Sequence, residues 1–168
     1  MTPAILLLAL VTAERLAELW WARRNTQRLM VRGAVEHAPG HYPLIVALHA
    51  AWLAGLWILG WDKPIVTGWL IVFIALQGAR LWVLATLGER WTTRIIVLPH
   101  AALVRRGPYR FVSHPNYLVV AGEIAVLPLC LGLPWYAVVF SLANAAVLAI
   151  RIRAEGTALA GAGRDREA

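Results

Sequence analysis

The chain has 168 residues, 60% of them hydrophobic and only 15% charged, with a formal net charge of +7 and a mean hydropathy of +0.64. A soluble globular domain carries about 25% charged residues, and a nucleic-acid-binding domain spreads positive charge over a polar surface. Both classes are excluded, no nucleic-acid partner is expected, and the same figures exclude disorder. The length allows one domain, and a single cysteine, Cys130, excludes a disulfide framework or a thiolate metal site. The composition therefore predicts an all-α integral membrane protein, in contact with membrane lipids, whose charge lies outside the hydrocarbon.

A spanning helix needs about 20 mostly apolar residues. In chain order, the segments that meet or approach this are 3–22, 42–60, 65–87, 117–133 and 135–151. None alternates with a strand period, so all five read as helices. The first is not a cleavable leader, because it lacks a basic start and is interrupted by Glu14 and Arg15. Between the first two spans lie Arg23, Arg24, Arg28 and Arg32, whereas Asp62 and Lys63 are the charges between the second and third. The 88–116 loop carries Arg90, Arg94, Arg105, Arg106 and Arg110, a tight uncharged turn joins the last two spans, and the 152–168 tail carries Arg153, Arg164 and Arg166. Basic loops stay cytoplasmic. The expected topology has the N-terminus outside, with the 88–116 loop and the tail cytoplasmic, in a bacterial inner membrane. Trp20, Trp21, Trp61, Trp91 and Trp135 fall near span ends, as an aromatic belt requires.

Ionisable residues inside spans are expensive and mark functional positions by default. Glu14 and Glu18 share a helix face with Arg15 between them, Gln77 and Arg80 are three apart, and Asn144 and Arg151 share another face. With Glu123 on the fourth span they are expected to build a polar chamber on the cytoplasmic side. Pairing of Arg80 with a glutamate is the competing structural reading, and His49 is expected to be a packed, hydrogen-bonded histidine rather than a catalytic one. No HExxH, GxSxG or glycine-rich phosphate loop is present, so no metal is expected.

The stretch 94–117 reads RIIVLPHAALVRRGPYRFVSHPNY. Pro99, Gly107, Pro108 and Pro115 set turns, and Pro115 pushes His114 towards an extended backbone. Proline suits a first helical turn, where the free backbone N–H groups can bind a carboxylate. Tyr109, Phe111 and Tyr117 offer flat faces to a purine or a hydrophobic edge.

GPYRFVSHPNY resembles the GPY–x–x–x–x–HP–x–Y signature of the isoprenylcysteine carboxyl methyltransferase family, and Arg151 to Leu159 resemble its RI–x–x–E–E–x–x–L block, in the expected order and one helical hairpin apart. The resemblance covers roughly 88–159. The N-terminal part, with ERLAELWWARRN, is similar to a short bacterial branch. Some members of that branch sit beside type III polyketide synthases and methylate hydroxyls of alkylpyrones or alkylresorcinols. The resemblance implies a membrane-embedded methyltransferase using S-adenosyl-L-methionine, without a Rossmann sheet. It implies that Arg94, Ala101, Ala102, Leu103, Val104, Tyr109, His114, Pro115, Asn116 and Tyr117 bind the cofactor, and that Arg151 orients the acceptor. The chain departs from the pattern where Glu155 is followed by Gly156 in place of a second glutamate, and in the stretch after Leu159, AGAGRDREA, which lacks the aromatic-rich ending usual in the family.

A sulfonium methyl is already activated, so such an enzyme chiefly aligns an oxygen with it. A carboxylate acceptor needs only a cation, whereas a phenol or enol also benefits from a base. Candidates for the base are Glu123 first, because burial makes a carboxylate a stronger base, then Glu155 and His114. The expected acceptor is a lipid-like small molecule of the alkylpyrone or alkylresorcinol type. A prenylcysteine-type carboxylate and a non-catalytic membrane protein derived from the fold are the alternatives. Oligomeric state is not written in the sequence.

Overall fold

The computed structural model describes residues 2–99, 101, 102 and 104–164, with side chains for these except at 41 and 159–164. Helix α1 (Pro3–Val31) starts on Thr2, whose Oγ1 accepts the Ile5 backbone N–H at 3.2 Å. It continues past the expected span end at Ala22, because no proline or glycine interrupts it before Gly33, which sits at a φ of 84°. Helices α2 (Tyr42–Gly60), α3 (Thr67–Leu87), α4 (Pro115–Cys130) and α5 (Pro134–Arg164) follow. Prolines occupy the first turns of α4 and α5. Helix α5 likewise outruns its expected end at Arg151, since the change there is from apolar to charged residues and not to helix breakers.

Three stretches, Tyr42–Gly60, Thr67–Arg90 and Pro134–Ala158, are long and apolar enough to cross a membrane. Helix α4 has 16 residues and spans about 24 Å at 1.5 Å per residue, less than the roughly 30 Å hydrocarbon core. Helix α1 has the length but carries Glu14, Arg15 and Glu18. The all-helical reading omitted one small element. Strands β1 (Val35–Glu36) and β2 (Ile96–Val97) pair antiparallel, Val35 opposite Val97, and tie the segment after α1 to the segment after α3.

The five helices alternate in direction, so the bundle has two unlike ends. One end is dry: Leu8, Trp52, Leu56, Phe73, Ile124, Leu127 and Leu131 pack into one cluster. Backbones approach closely there. A Cβ on Gly55 would lie 2.1 Å from the Tyr136 hydroxyl oxygen, and that hydroxyl donates to the Trp52 carbonyl at 2.8 Å, binding α5 to α2. At the other end, buried Asn25 donates to the Gly88 and Trp91 carbonyls at 3.1 and 2.9 Å, holding the end of α1 to the turn after α3. Trp91 therefore departs from the expected belt: it is 3% exposed and packs on Trp21. Trp20, Trp61 and Trp135 are exposed, as the belt requires.

Gly55→Ala is expected to destabilise the fold by about 1–3 kcal/mol through overpacking against Tyr136. Gly156→Ala, where a Cβ meets nothing within 4 Å, should be neutral or slightly stabilising. Thermal unfolding of both variants in detergent checks the contrast.

Candidate active site

The chargeable residues of the spans converge. Arg80 on α3 donates through Nε and Nη2 to the two oxygens of Glu18 on α1, the latter at 2.5 Å, and through Nη1 to Glu123 Oε2 on α4 at 2.8 Å. Arg15 reaches Glu123 Oε1 and Glu18 Oε2, both at 3.1 Å, and Glu14 at 3.3 Å. Gln77 Nε2 donates to Glu123 Oε1 at 2.9 Å. Glu18, Arg80 and Glu123 are buried. Both glutamate carboxylates are thus saturated by guanidinium and amide donors, the condition under which a buried ion pair is tolerated.

Beside this cluster opens a cavity of about 320 Å³. Its apolar wall comes from Val11, Leu16, Val46, Leu53, Val120 and Leu148, and its polar groups are the cluster itself with His49, Thr93, Asn116, Tyr117, Asn144 and Arg151. Leu16 on α1 and Val46 on α2 line the cavity and are themselves exposed, so the chamber is open at these residues. The Oδ1 atoms of Asn116 and Asn144 are buried without a hydrogen-bond partner among the described residues.

At the loop end, Arg151 donates from Nε to the Tyr117 hydroxyl and from Nη1 to the Thr93 carbonyl, each at 2.8 Å. Its Nη2 makes no hydrogen bond to a described residue. The Tyr117 hydroxyl in turn donates to Glu155 Oε2 at 2.5 Å. The His114 ring stacks on Tyr117 with centroids 5.1 Å apart, and its Nδ1 lies 3.7 Å from the same carboxylate oxygen. Gly107 brings the loop back against α3. It adopts a φ of 56°, and a Cβ there would stand 2.4 Å from Thr86 Oγ1, so only glycine fits. Pro108 is buried behind it. Burial, and then the Glu155 charge, push the Tyr109 hydroxyl up to about 12, which keeps it a neutral donor at physiological pH.

The site residues expected from sequence divide into two groups. His114, Asn116, Tyr117, Arg151 and Glu155 come together at the N-terminal end of α4, started by Pro115. Arg94 instead lies outside the cavity, with Nη1 2.9 Å from both oxygens of Glu36 and its guanidinium over the Tyr42 ring at 4.7 Å, where it braces the β-ribbon. The Ala102 carbonyl accepts from Arg90 Nη1 at 2.6 Å, Ala101 N–H donates to the Leu98 carbonyl at 3.3 Å, and Val104 is half-buried. Leu103 and Arg166 lie outside the described residues. Sequence reasoning missed Thr93, whose contribution is a backbone carbonyl that no side-chain pattern signals. It also missed Tyr42, which looks like an ordinary span-end aromatic but lines the cavity and hydrogen-bonds Thr93 Oγ1 at 3.1 Å.

The bundle thus sets Arg151, whose Nη2 makes no hydrogen bond to a described residue, and the stacked His114 and Tyr117 rings beside a largely apolar chamber. The profile described as the isoprenylcysteine carboxyl methyltransferase (ICMT) family matches residues 69–161, and the chain belongs to that family of membrane methyltransferases. It is 39% identical over 159 residues to the uncharacterized protein YpbQ of Bacillus subtilis (strain 168), covering 92% of this chain and 95% of that protein. It is 26% identical over 158 residues to an uncharacterized protein of Haemophilus influenzae (strain ATCC 51907 / DSM 11121 / KW20 / Rd), covering 90% and 91%. No solved structure matches the chain at a significant level.

Arg80→Ala removes the guanidinium that joins two buried carboxylates, leaving them to Arg15 and Gln77, and is expected to destabilise the protein by about 3 kcal/mol. Arg94→Ala removes a half-exposed surface pair and should cost about 1 kcal/mol or less. Denaturation midpoints of the two variants in the same detergent measure the difference.

Proposed function

We propose that this protein is an S-adenosylmethionine-dependent O-methyltransferase of the membrane, acting on a lipid-like acceptor. The carrying observation is the largely apolar cavity that is open at Leu16 and Val46 and carries Arg151 and Tyr117 on its wall. An acyl or alkyl tail fills such a wall, and its oxygen-bearing head then meets the cation.

The donor set fits the cofactor. At the start of α4 Pro115 carries no N–H and the Tyr117 and Leu118 N–H groups donate to the His114 carbonyl, so it is the Asn116 N–H that suits the cofactor's carboxylate. The unpartnered buried Asn116 Oδ1 is an acceptor for a ribose hydroxyl. His114, Tyr117 and Tyr109 offer ring faces and a neutral hydroxyl, and Glu155 holds Tyr117 in place. When bound, S-adenosylmethionine supplies an activated methyl group. Arg151, braced by Tyr117 and the Thr93 carbonyl, keeps Nη2 for the acceptor oxygen and favours its anionic form. The two candidate carboxylate bases are less apt than the sequence suggested. Glu123 has both oxygens committed to Arg15, Gln77 and Arg80, so we assign it to holding α4 against α1 and α3. Glu155 is committed to Tyr117.

We favour a phenol or enol acceptor of the alkylpyrone or alkylresorcinol type. A prenylcysteine-type carboxylate is the second reading, supported by the free guanidinium nitrogen of Arg151, which suits an acceptor that is already anionic. The charge distribution supports a cytoplasmic site: Arg28, Arg32, Arg90, Arg94 and Arg106 all belong to the loop end of the bundle, and Lys63 to the opposite end.

Purified protein in detergent is expected to bind S-adenosylhomocysteine by calorimetry and to transfer labelled methyl to an alkylresorcinol. Arg151→Ala should retain helix content and lose about 100-fold or more in rate. Absence of binding at millimolar ligand would instead favour a non-catalytic membrane protein.

A further inference from the structure

His49 sits on α2, on the wall of the cavity. Its Nδ1 lies 2.8 Å from the Ile45 carbonyl oxygen, one helical turn earlier. A carbonyl only accepts, so Nδ1 carries the hydrogen, and in the neutral ring the lone pair is on Nε2. That nitrogen makes no hydrogen bond to any described residue. The ring is thus locked by its own helix in one tautomer, on the wall of a chamber that mixes aliphatic side chains with polar groups already engaged with one another. The charged and titratable groups around the chamber, besides His49, are Arg15 and Glu18 from α1, Tyr42 from α2, whose hydroxyl is hydrogen-bonded with Thr93 Oγ1, Arg80 from α3, Glu123 and Tyr117 from α4, and Arg151 from α5. The glutamates are saturated by the arginines, and Tyr117 donates its proton to Glu155. His49 is the remaining basic lone pair on the cavity wall among the described side chains.

We propose that His49 Nε2 accepts the proton of a hydroxyl acceptor, which makes a phenol or enol, and not a carboxylic acid, the acceptor class of this cavity. The inference rests on the methyltransferase reading above and deepens it. The bound O–H breaks, its electron pair stays on oxygen, and the proton passes to the Nε2 lone pair. The products are an oxyanion beside the Arg151 guanidinium and an imidazolium that later returns its proton to solvent. A carboxylate has no hydrogen to offer, and its oxygens would confront the Nε2 lone pair and the unpartnered Asn144 Oδ1. A hydroxyl satisfies an acceptor of this kind.

The test uses His49→Ala and His49→Gln in detergent, the second keeping an N–H for the Ile45 carbonyl while lacking a basic lone pair. The first probe is a dodecyl-substituted nitrophenol, coloured only as its phenolate, added without cofactor slightly below its own pKa. Wild-type protein should generate phenolate colour on binding. Both variants should bind S-adenosylhomocysteine as wild type does, lose the colour, and transfer methyl to an alkylresorcinol at least about 100-fold more slowly. Added imidazole should restore colour and rate to His49→Ala and not to His49→Gln. Unchanged colour and rate in both variants would overturn the proposal, as would faster transfer to a long-chain carboxylate than to the hydroxyl acceptor. If wild-type protein transfers methyl to neither, the methyltransferase reading fails, and the colour difference between wild type and His49→Ala still decides the proton-accepting role.

Discussion

Charges inside a bilayer must be paired within the protein, and the Arg80–Glu18–Glu123 cluster with Arg15 is where this chain meets that requirement. Each charge alone would carry a desolvation cost of several kcal/mol. Together they bind α1, α3 and α4 at one depth and fix the rotation of each helix about its axis. Helix α1 is the element that most needs this. It carries too many ionisable residues to cross a membrane on hydropathy, yet every one of Glu14, Arg15 and Glu18 has a partner.

Packed core and chamber adjoin, sharing Val11, Trp52, Phe73 and Ile124. Beyond these, glycines and aromatics pack the helices to contact, as at Gly55 and Tyr136. Beside the cluster the chamber carries polar groups that are already oriented. Arg151 is held at two points, Tyr117 at two, and His49 by its own helix. Such bracing keeps binding groups in place without reorganisation when a ligand arrives. The loop over the chamber is anchored by Gly107 against Thr86 and by the β-ribbon, so an irregular segment acquires a defined position.

Much of this was legible in the chain. The spans were visible as apolar runs, because hydrocarbon thickness dictates their length. The polar residues within them were identified as belonging together, because nothing else in a bilayer can satisfy them. The GPYRFVSHPNY and RIRAEGTAL segments point to the family whose profile matches residues 69–161. Helix ends were less legible: α1 and α5 continue beyond their apolar parts, since leaving the hydrocarbon does not terminate a helix. Trp91 was misjudged as a lipid-facing anchor for a related reason. Its distance from the span in sequence does not reveal that Asn25 pulls it inward by its carbonyl.

What the sequence alone determined is the kind of molecule: an apolar helical protein with a basic end, ionisable residues committed to its interior and a motif-bearing loop. These are properties of composition and local spacing. What the tertiary structure decided is which of several similar residues are paired. Glu123 and Arg80 are joined to each other and to α1, Arg94 pairs with Glu36 on the ribbon, and Arg151 and His49, on the cavity wall, each retain a nitrogen without a hydrogen bond to a described residue. A side chain's role depends on which of its atoms remain unpaired, and that is settled by neighbours contributed from other helices, 34 to 108 positions away in the chain for Arg151, Arg80 and Arg15.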